Sequence, residues 1–501
     1  MPEVPHELHR VRAVNATEPL RRHALVAPDA VAWVRADGVP LTYHALDRAV
    51  DALAHRLRAA DLRPGTTVAL FAHIPLRFCL AALALARLGV AFAPEMPAGR
   101  LAPVALVDGE DPRAAEYARA LPLAEFLPEA GPAAAAAPLP LHPDPDAVLM
   151  YCPTSGTTGR PHYTPVSHDL MLRRVVLRVL TLAPLAGTRG LAATRQACLV
   201  APGSCYGFAT VLRALWGGGT VVQLGQDVGA IAERIAESGV TSLVASPIGV
   251  QRIAEALARS TPIPGLEILE IGGGLLPPGV AELAQQRLCR NVVVAYGSSE
   301  TGPVASAPLA RAGARRGAAG YPYLGVTIEI VDDGDRPVAP GVEGHVRIRS
   351  EYAAGVYVDD PEASARVFRG GWVYPGDVGA LEADGMLRIV GRGDDLIDHG
   401  GVLVHPEAIE RALADLADLT EVAVFGVADG ARVTRLCAAV VPAGPWDAQA
   451  FHARCRERLG RDAPDVIVQV QALPRNANGK VLRPELVRLV QSLEAPASGP
   501  H

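Results

Sequence analysis

Short apolar runs and longer amphipathic stretches alternate along most of this chain. Thr67–Ala72, Ala147–Cys152, Thr220–Leu224, Ser242–Ser246, Leu266–Ile271 and Val292–Ala295 are compact apolar runs bounded by turn residues, the pattern of buried strands. Between them, His44–Ala60, Leu76–Leu88, Val228–Ser238 and Gly249–Ala258 carry the three-to-four-residue spacing of helices. This alternation predicts an α/β fold of mostly parallel sheets with helices on both faces. From about Thr327 the pattern becomes short strands and turns, as in Thr327–Val331 and Gly344–Arg349, and predicts a β-rich subdomain. After Asp394 come a helix at Pro406–Leu416, strands at Glu421–Val427 and Cys437–Val441, and a helix at Asp447–Leu459. That reads as a small separate α+β domain, so the expected division is 1–393 and 394–501. Pro132–Pro145, with its run of alanines and its prolines, is expected to be a flexible surface connection. No internal repeat is evident.

Composition narrows the partners. The 501 residues are half apolar and a fifth charged, enough for several folding units. Basic and acidic residues nearly cancel, 47 against 53, with no long block of one sign. Nucleic acid and anionic membrane are therefore not expected as partners. The longest apolar run, around Cys79–Pro94, is interrupted by Arg87 and too short to span a bilayer. Met1–Arg22 is polar, with no apolar segment of the secretory kind, and the expected compartment is the cytoplasm. Seven scattered cysteines, never spaced C-x-x-C, read as reduced thiols rather than a disulfide framework or zinc site. One count stands out: the basic residues are 46 arginines and a single lysine, Lys480.

Four segments carry candidate chemistry. Thr154-Ser155-Gly156-Thr157-Thr158-Gly159-Arg160-Pro161 follows a strand and offers hydroxyls and main-chain N–H groups to phosphate oxygens. It lacks the Gly-Lys-Ser/Thr of a Walker A loop. Tyr296-Gly297-Ser298-Ser299-Glu300-Thr301-Gly302 follows another buried run; its tyrosine can stack on a base and its carboxylate can hold Mg²⁺. Gly371-Trp372-Val373-Tyr374-Pro375-Gly376-Asp377 and Gly391-Arg392-Gly393-Asp394 place an aspartate and an arginine in turns, where they can bind sugar hydroxyls. Lys480 ends Asn476-Ala477-Asn478-Gly479-Lys480, a turn that presents a slim point charge. Gly272–Gly274 lacks the spacing of a dinucleotide fingerprint and suggests close backbone approach to a ligand.

In this order and at these separations, the motifs resemble the adenylate-forming superfamily: acyl- and aryl-CoA synthetases, peptide-synthetase adenylation domains and luciferases. The resemblance runs from about Leu41 to Lys480. It implies that Thr154, Ser155, Gly156, Thr157, Thr158 and Gly159 form the phosphate loop, with Gly273 and Gly297 also lining the ATP/AMP site. It further implies that Tyr296 lies on adenine, Ser299 meets the α-phosphate, Glu300 holds Mg²⁺, and Asp377 and Arg392 bind ribose. Asp394 would be the hinge to a mobile C-terminal domain, Lys480 the catalytic cation, and Gly400-Gly401 the lining of a thiol channel. The implied reaction joins a small carboxylic acid to ATP, releases pyrophosphate, and passes the acyl group to CoA or a carrier protein's phosphopantetheine. The segment Pro202–Gly207 contains no acid to anchor an α-ammonium, so an aryl or alkyl carboxylate is favoured. Ser204, Tyr206, Gly272 and Gly274 are the expected pocket residues.

Three departures from the family pattern stand out. His162 and Tyr163 replace the usual lysine and glycine after the phosphate loop, Asp398 replaces a common lysine beyond the hinge, and the stretch after Pro97 is short. The alternatives are an adenylation enzyme dedicated to one carrier protein, and a nucleotide-binding protein without catalysis. A serine hydrolase is excluded, because neither Ser204 nor Ser299 sits in Gly-x-Ser-x-Gly.

Overall fold

A computed structural model of the protein describes residues 15–127, 137–154, 161–182, 190–225, 227–257, 261–313, 315, 317–358, 360–393, 397–398, 403–404, 406–414, 419–428, 434–460, 463–476 and 479–494. Near the start, helix α1 (Tyr43–Ala59) is capped by Thr42, whose hydroxyl accepts the Ala45 N–H at 3.1 Å. Helix α2 (Pro75–Leu88) has proline in its first turn and is apolar almost all round, so it is buried. Of its two arginines, Arg77 pairs with Asp108 at 2.7 Å, while the buried Arg87 is neutralised by Asp47 and Asp51 of α1, and Arg21 shares Asp51 at 2.6 Å.

These helices pack on a six-stranded sheet. Its order is 119–122, 104–107, 67–71 and 91–94, then β1 (Val148–Pro153) and β2 (Tyr163–Ser167). All neighbours are parallel except the β1–β2 pair. Helices α3 (His168–Leu182) and α4 (Cys205–Trp216) follow, then α5 (Pro247–Ala256). A second, larger sheet has a parallel portion made of strands 31–34, 220–222, 195–198 and 242–245, then β3 (Ile268–Gly272) and β4 (Val292–Ser298). At β5 (Gly302–Pro308) it turns antiparallel and continues through 318–322 into the β-rich part. There β6 (Asp377–Leu381) pairs with β7 (Leu387–Arg392) and strand 326–331 with 344–350. The α/β architecture and the later change to β-rich structure follow the sequence pattern.

Toward the C-terminus, strands 419–428, 434–442 and 466–469 form their own sheet, with apolar clusters on both faces and helices 406–414, 448–459 and 483–494 around it. It touches the larger part through Gln251 Nε2, which donates to the Thr420 carbonyl at 3.3 Å. Asp394, the expected hinge, lies outside the described residues.

One expectation is corrected. The second half of Pro132–Pro145 is pinned rather than loose: Leu139 is buried, and the His142 N–H donates to the Arg87 carbonyl at 3.1 Å. Arg21 reaches the Leu139 carbonyl from α1's side. The buried arginine thus holds both α1 and this connection. No helix among the described residues is long and apolar enough to cross a membrane.

Candidate active site

The motif residues gather where β1, β3 and β4 end, the usual ligand position in an open parallel sheet. β1 ends at Pro153, whose carbonyl accepts the Ser299 hydroxyl at 3.0 Å, joining the tips of the two sheets. Next to it Thr154 is buried, and its N–H donates to the His162 carbonyl at 2.8 Å, closing the base of the loop. Ser155, Gly156, Thr157, Thr158 and Gly159 lie outside the described residues, as do Gly400 and Gly401. Asp398 belongs to a two-residue strand paired with Leu403.

The Tyr296–Gly302 segment is a tight reversal between β4 and β5. A Cβ on Gly297 would fall 2.3 Å from the Gly302 carbonyl oxygen, so only glycine closes it. Thr301 Oγ1 accepts the Ser298 N–H at 3.0 Å, which fixes Ser299 and Glu300 at the tip. The Tyr296 hydroxyl donates to Asp377. Asp377 and Arg392 are direct cross-strand partners on β6 and β7, and their side chains are 3.6 Å apart. The antiparallel ladder therefore unites two motifs separated in sequence. Burial raises the Asp377 pKa above the ordinary value, although Arg392, the Tyr296 hydrogen bond and Lys480 all pull it down. Lys480 thus lies close enough for its charge to reach Asp377.

A tight turn presents Lys480. The Asn476 side chain accepts the Lys480 N–H at 2.9 Å, and Arg475 donates to the Gly479 carbonyl at 2.7 Å. Gly479 has φ +80°, and a Cβ there would meet Ile248 of α5 at 2.6 Å. The turn is therefore seated on the larger part of the protein.

Glu300 has one engaged carboxylate oxygen among the described residues: Oε1 accepts the Tyr357 hydroxyl at 2.6 Å. Burial, then the Glu300 charge, pushes the Tyr357 pKa up, which keeps it a donor. The His162 ring stacks on Tyr357, with centroids 4.7 Å apart, while its Nδ1 lies 3.2 Å from Asp360 Oδ2. The histidine that departs from the family pattern is thus packed behind the carboxylate. Glu300 Oε2 remains available as a hard oxygen donor, which fits Mg²⁺ held by one carboxylate plus phosphates and water. No cluster of three or more His, Cys, Asp or Glu that could hold a metal ion is present among the described residues.

On the side where the acid pocket is expected, Ser204 caps α4: its Oγ accepts the Gly207 N–H at 3.0 Å and donates to the Ala201 carbonyl at 2.8 Å. Tyr206 Oη donates to Glu270 Oε1 at 3.0 Å, and Arg178 lies 4.6 Å from the Tyr206 ring centroid. A Cβ on Gly272 would stand 2.9 Å from that hydroxyl and one on Gly274 would stand 3.7 Å from Pro247, while one on Gly273 would meet open space. Glu270 is buried in β3 between Arg178 and Arg213, the latter at 2.9 Å. Burial pushes the Glu270 pKa up, but the two guanidiniums outweigh it and hold it below the usual carboxylate value. Sequence reasoning missed this network. The available signal was a second glutamate, Glu270, following Glu267 within the short strand-like run Leu266–Ile271.

Comparison with known proteins agrees with this geometry. The AMP-binding enzyme family matches residues 20–104 and 101–358, and the AMP-binding enzyme C-terminal domain matches 408–480. A feruloyl-CoA synthase from Amycolatopsis is 32% identical over 94% of this chain and 98% of its own length. A 2-succinylbenzoate–CoA ligase from Bacillus licheniformis is 27% identical over 93% of this chain and 98% of its own. Among solved structures, O-succinylbenzoate coenzyme A synthetase from Bacillus subtilis with ATP and magnesium ion shares the fold, with TM-score 0.80, 23% identity, and coverage of 93% and 98%. The chain belongs to the AMP-binding enzyme family and is an AMP-forming acid–thiol ligase.

Proposed function

We propose that this ligase activates an aryl carboxylate and transfers it to CoA in the cytoplasm, with residues 394–501 acting as the mobile lid. The single observation that carries the catalytic assignment is the seating of the turn that bears the chain's only lysine, with Gly479 packed against Ile248 of α5. The aryl preference is supported by the feruloyl-CoA synthase relative, matched over nearly its full length, and by the Tyr206 ring held rigid by Arg178 and Glu270.

The chemical problem is to bring two anions together, the attacking carboxylate and the α-phosphate. Lys480 bridges their oxygens with a compact ammonium, stabilising the charge that shifts between them. Asp377 accepts the ribose hydroxyls, and Arg392 fixes Asp377 for that task. Ser299 and the loop that begins at Thr154 line the phosphates. Glu300 would hold Mg²⁺, which when bound supplies charge neutralisation for the pyrophosphate oxygens. Withdrawal of the Lys480 turn from Ile248 then opens a path for the thiol.

Lys480→Ala is expected to abolish carboxylate-dependent ATP–pyrophosphate exchange while largely sparing thioester formation from a supplied acyl adenylate. Lys480→Arg is expected not to restore exchange, because a planar fork cannot replace a point charge in near-attack geometry. Exchange at the wild-type rate in either variant overturns the assignment. A panel of aryl, fatty and amino acids in the same assay identifies the acid class.

A further inference from the structure

Arg174 of α3 is 1% exposed, and its guanidinium reaches three different parts of the protein. Its Nε donates to the Tyr352 carbonyl at 2.9 Å, its Nη2 to the Ser299 carbonyl at 3.1 Å, and its Nη1 to the Cys205 sulfur at 3.1 Å. Ser299 lies at the tip of the β4–β5 reversal, Cys205 is the first residue of α4, and Tyr352 follows strand 344–350. One side chain thus ties the expected phosphate end, the expected acid end and the β-rich part to one another.

The reversal is built around this guanidinium. Gly302 has φ +67°, and a Cβ there would stand 2.7 Å from Arg174 Nε and 2.8 Å from the Tyr352 carbonyl oxygen. Beside it, the Ala354 N–H donates to the Glu300 carbonyl at 2.7 Å. The main chain of Ser299 and Glu300 is therefore held by α3 and by residues 352–354, while their side chains are held by Pro153 and Tyr357. None of the three partners of Arg174 is a carboxylate. A guanidinium sealed from water among neutral groups is costly, and a purely structural tie does not need one. What it adds is a rigid planar fork, which fixes the angles among three acceptors as no single-nitrogen cation can.

We propose that Arg174 is a positioning residue for the adenylation step, fixing Ser299 relative to the start of α4 so that α-phosphate and carboxylate meet in near-attack geometry. The inference rests on the reading of Ser299 as the residue at the α-phosphate and of Ser204 and Tyr206 as acid-pocket residues. Arg174 acts through those two segments and makes or breaks no bond itself.

The test is steady-state pyrophosphate exchange by Arg174→Lys, with thermal melts to correct for folded protein. The expected result is a kcat at least about tenfold lower, with the KM for MgATP and for the acid within about twofold of wild type. A merely structural arginine would behave like the remote Arg87→Met, with a lower melting temperature and an unchanged kcat per folded molecule. Cys205→Ala removes a single acceptor and should lower kcat several-fold, whereas Cys205→Ser keeps an acceptor and should restore most of it. That pair decides the question if Arg174→Lys does not fold. A wild-type kcat in Arg174→Lys, or equal rates in the two Cys205 variants, overturns the proposal. Ser299→Ala tests the underlying reading separately, since a wild-type exchange rate there would remove Ser299 from the α-phosphate. A slow Ser299→Ala beside a normal Arg174→Lys would refute the role of Arg174 alone.

Discussion

His168 begins α3 with its ring sealed from water, Nδ1 accepting the Ala16 N–H at 3.0 Å. Burial, helped by His142, lowers its pKa to about 4, against 6.5 for a free histidine. A base whose folded pKa is depressed is neutral in the fold and gains its proton on unfolding. Its contribution to stability is therefore present above about pH 6.5 and is lost progressively as pH falls toward about 4, to a total on the order of 3 kcal/mol. His168→Asn keeps an acceptor for Ala16 and cannot titrate. Melting temperatures measured down the acid range should converge between wild type and variant; parallel curves would show the histidine to be uninvolved. Tyr357 makes a second single-residue case, since its hydroxyl is the fixed partner of Glu300. Tyr357→Phe should weaken MgATP binding by about tenfold, the scale of a hydrogen bond to a charged group, and leave metal-free ATP binding nearly unchanged. Calorimetry with and without Mg²⁺ separates the two, and equal losses would argue for a merely structural tyrosine.

The helices and strands differ in how readily their sequences disclose them. Buried parallel strands such as β3 and β4 announce themselves because both faces need apolar side chains. Strand 91–94 hides behind α2, since Gly89 and Val90 are all that separates two apolar segments. α4 is missed for another reason: Pro202–Gly207 reads as a turn-rich binding segment, while Ser204 is in fact the cap that starts the helix. Motif residues joined by a local hairpin or ladder, such as Asp377 with Arg392, are legible once the strands are drawn. The Glu270 network is not, because Arg178 and Arg213 lie 92 and 57 positions away and only tertiary packing joins them. The clamp between α1 and α2 is of the same kind and gives a prediction. Arg87→Met leaves Asp47 and Asp51 facing each other with one fewer cation, and should destabilise the protein by about 3–5 kcal/mol. Urea unfolding would register this as a lower midpoint; an unchanged midpoint would mean that Arg21 suffices for both carboxylates.

At the scale of the whole molecule, the C-terminal part meets the larger part through small contacts. Gln251 reaches Thr420, and the Gly479 turn rests against Ile248. Gly479→Ala puts a methyl group where φ is +80° and Ile248 Cγ2 would be 2.6 Å away. On the proposed lid motion, the arrangement described here should suffer while one with the turn withdrawn does not. Pyrophosphate exchange should therefore drop several-fold, with thioester formation from supplied acyl adenylate much less affected; equal losses would place the defect elsewhere. The solitary lysine has a further, practical consequence. With Lys480 as the proposed catalytic cation, a chain with one ε-amino group narrows general amine reagents to that group and any free α-amine. An activated ester or aldehyde that decorates the lysines of an ordinary protein becomes here a titrant of competent active sites, and bound nucleotide should shield the amine. By the same logic, fixing this protein to a bead through its lysine would disable the molecules it captures.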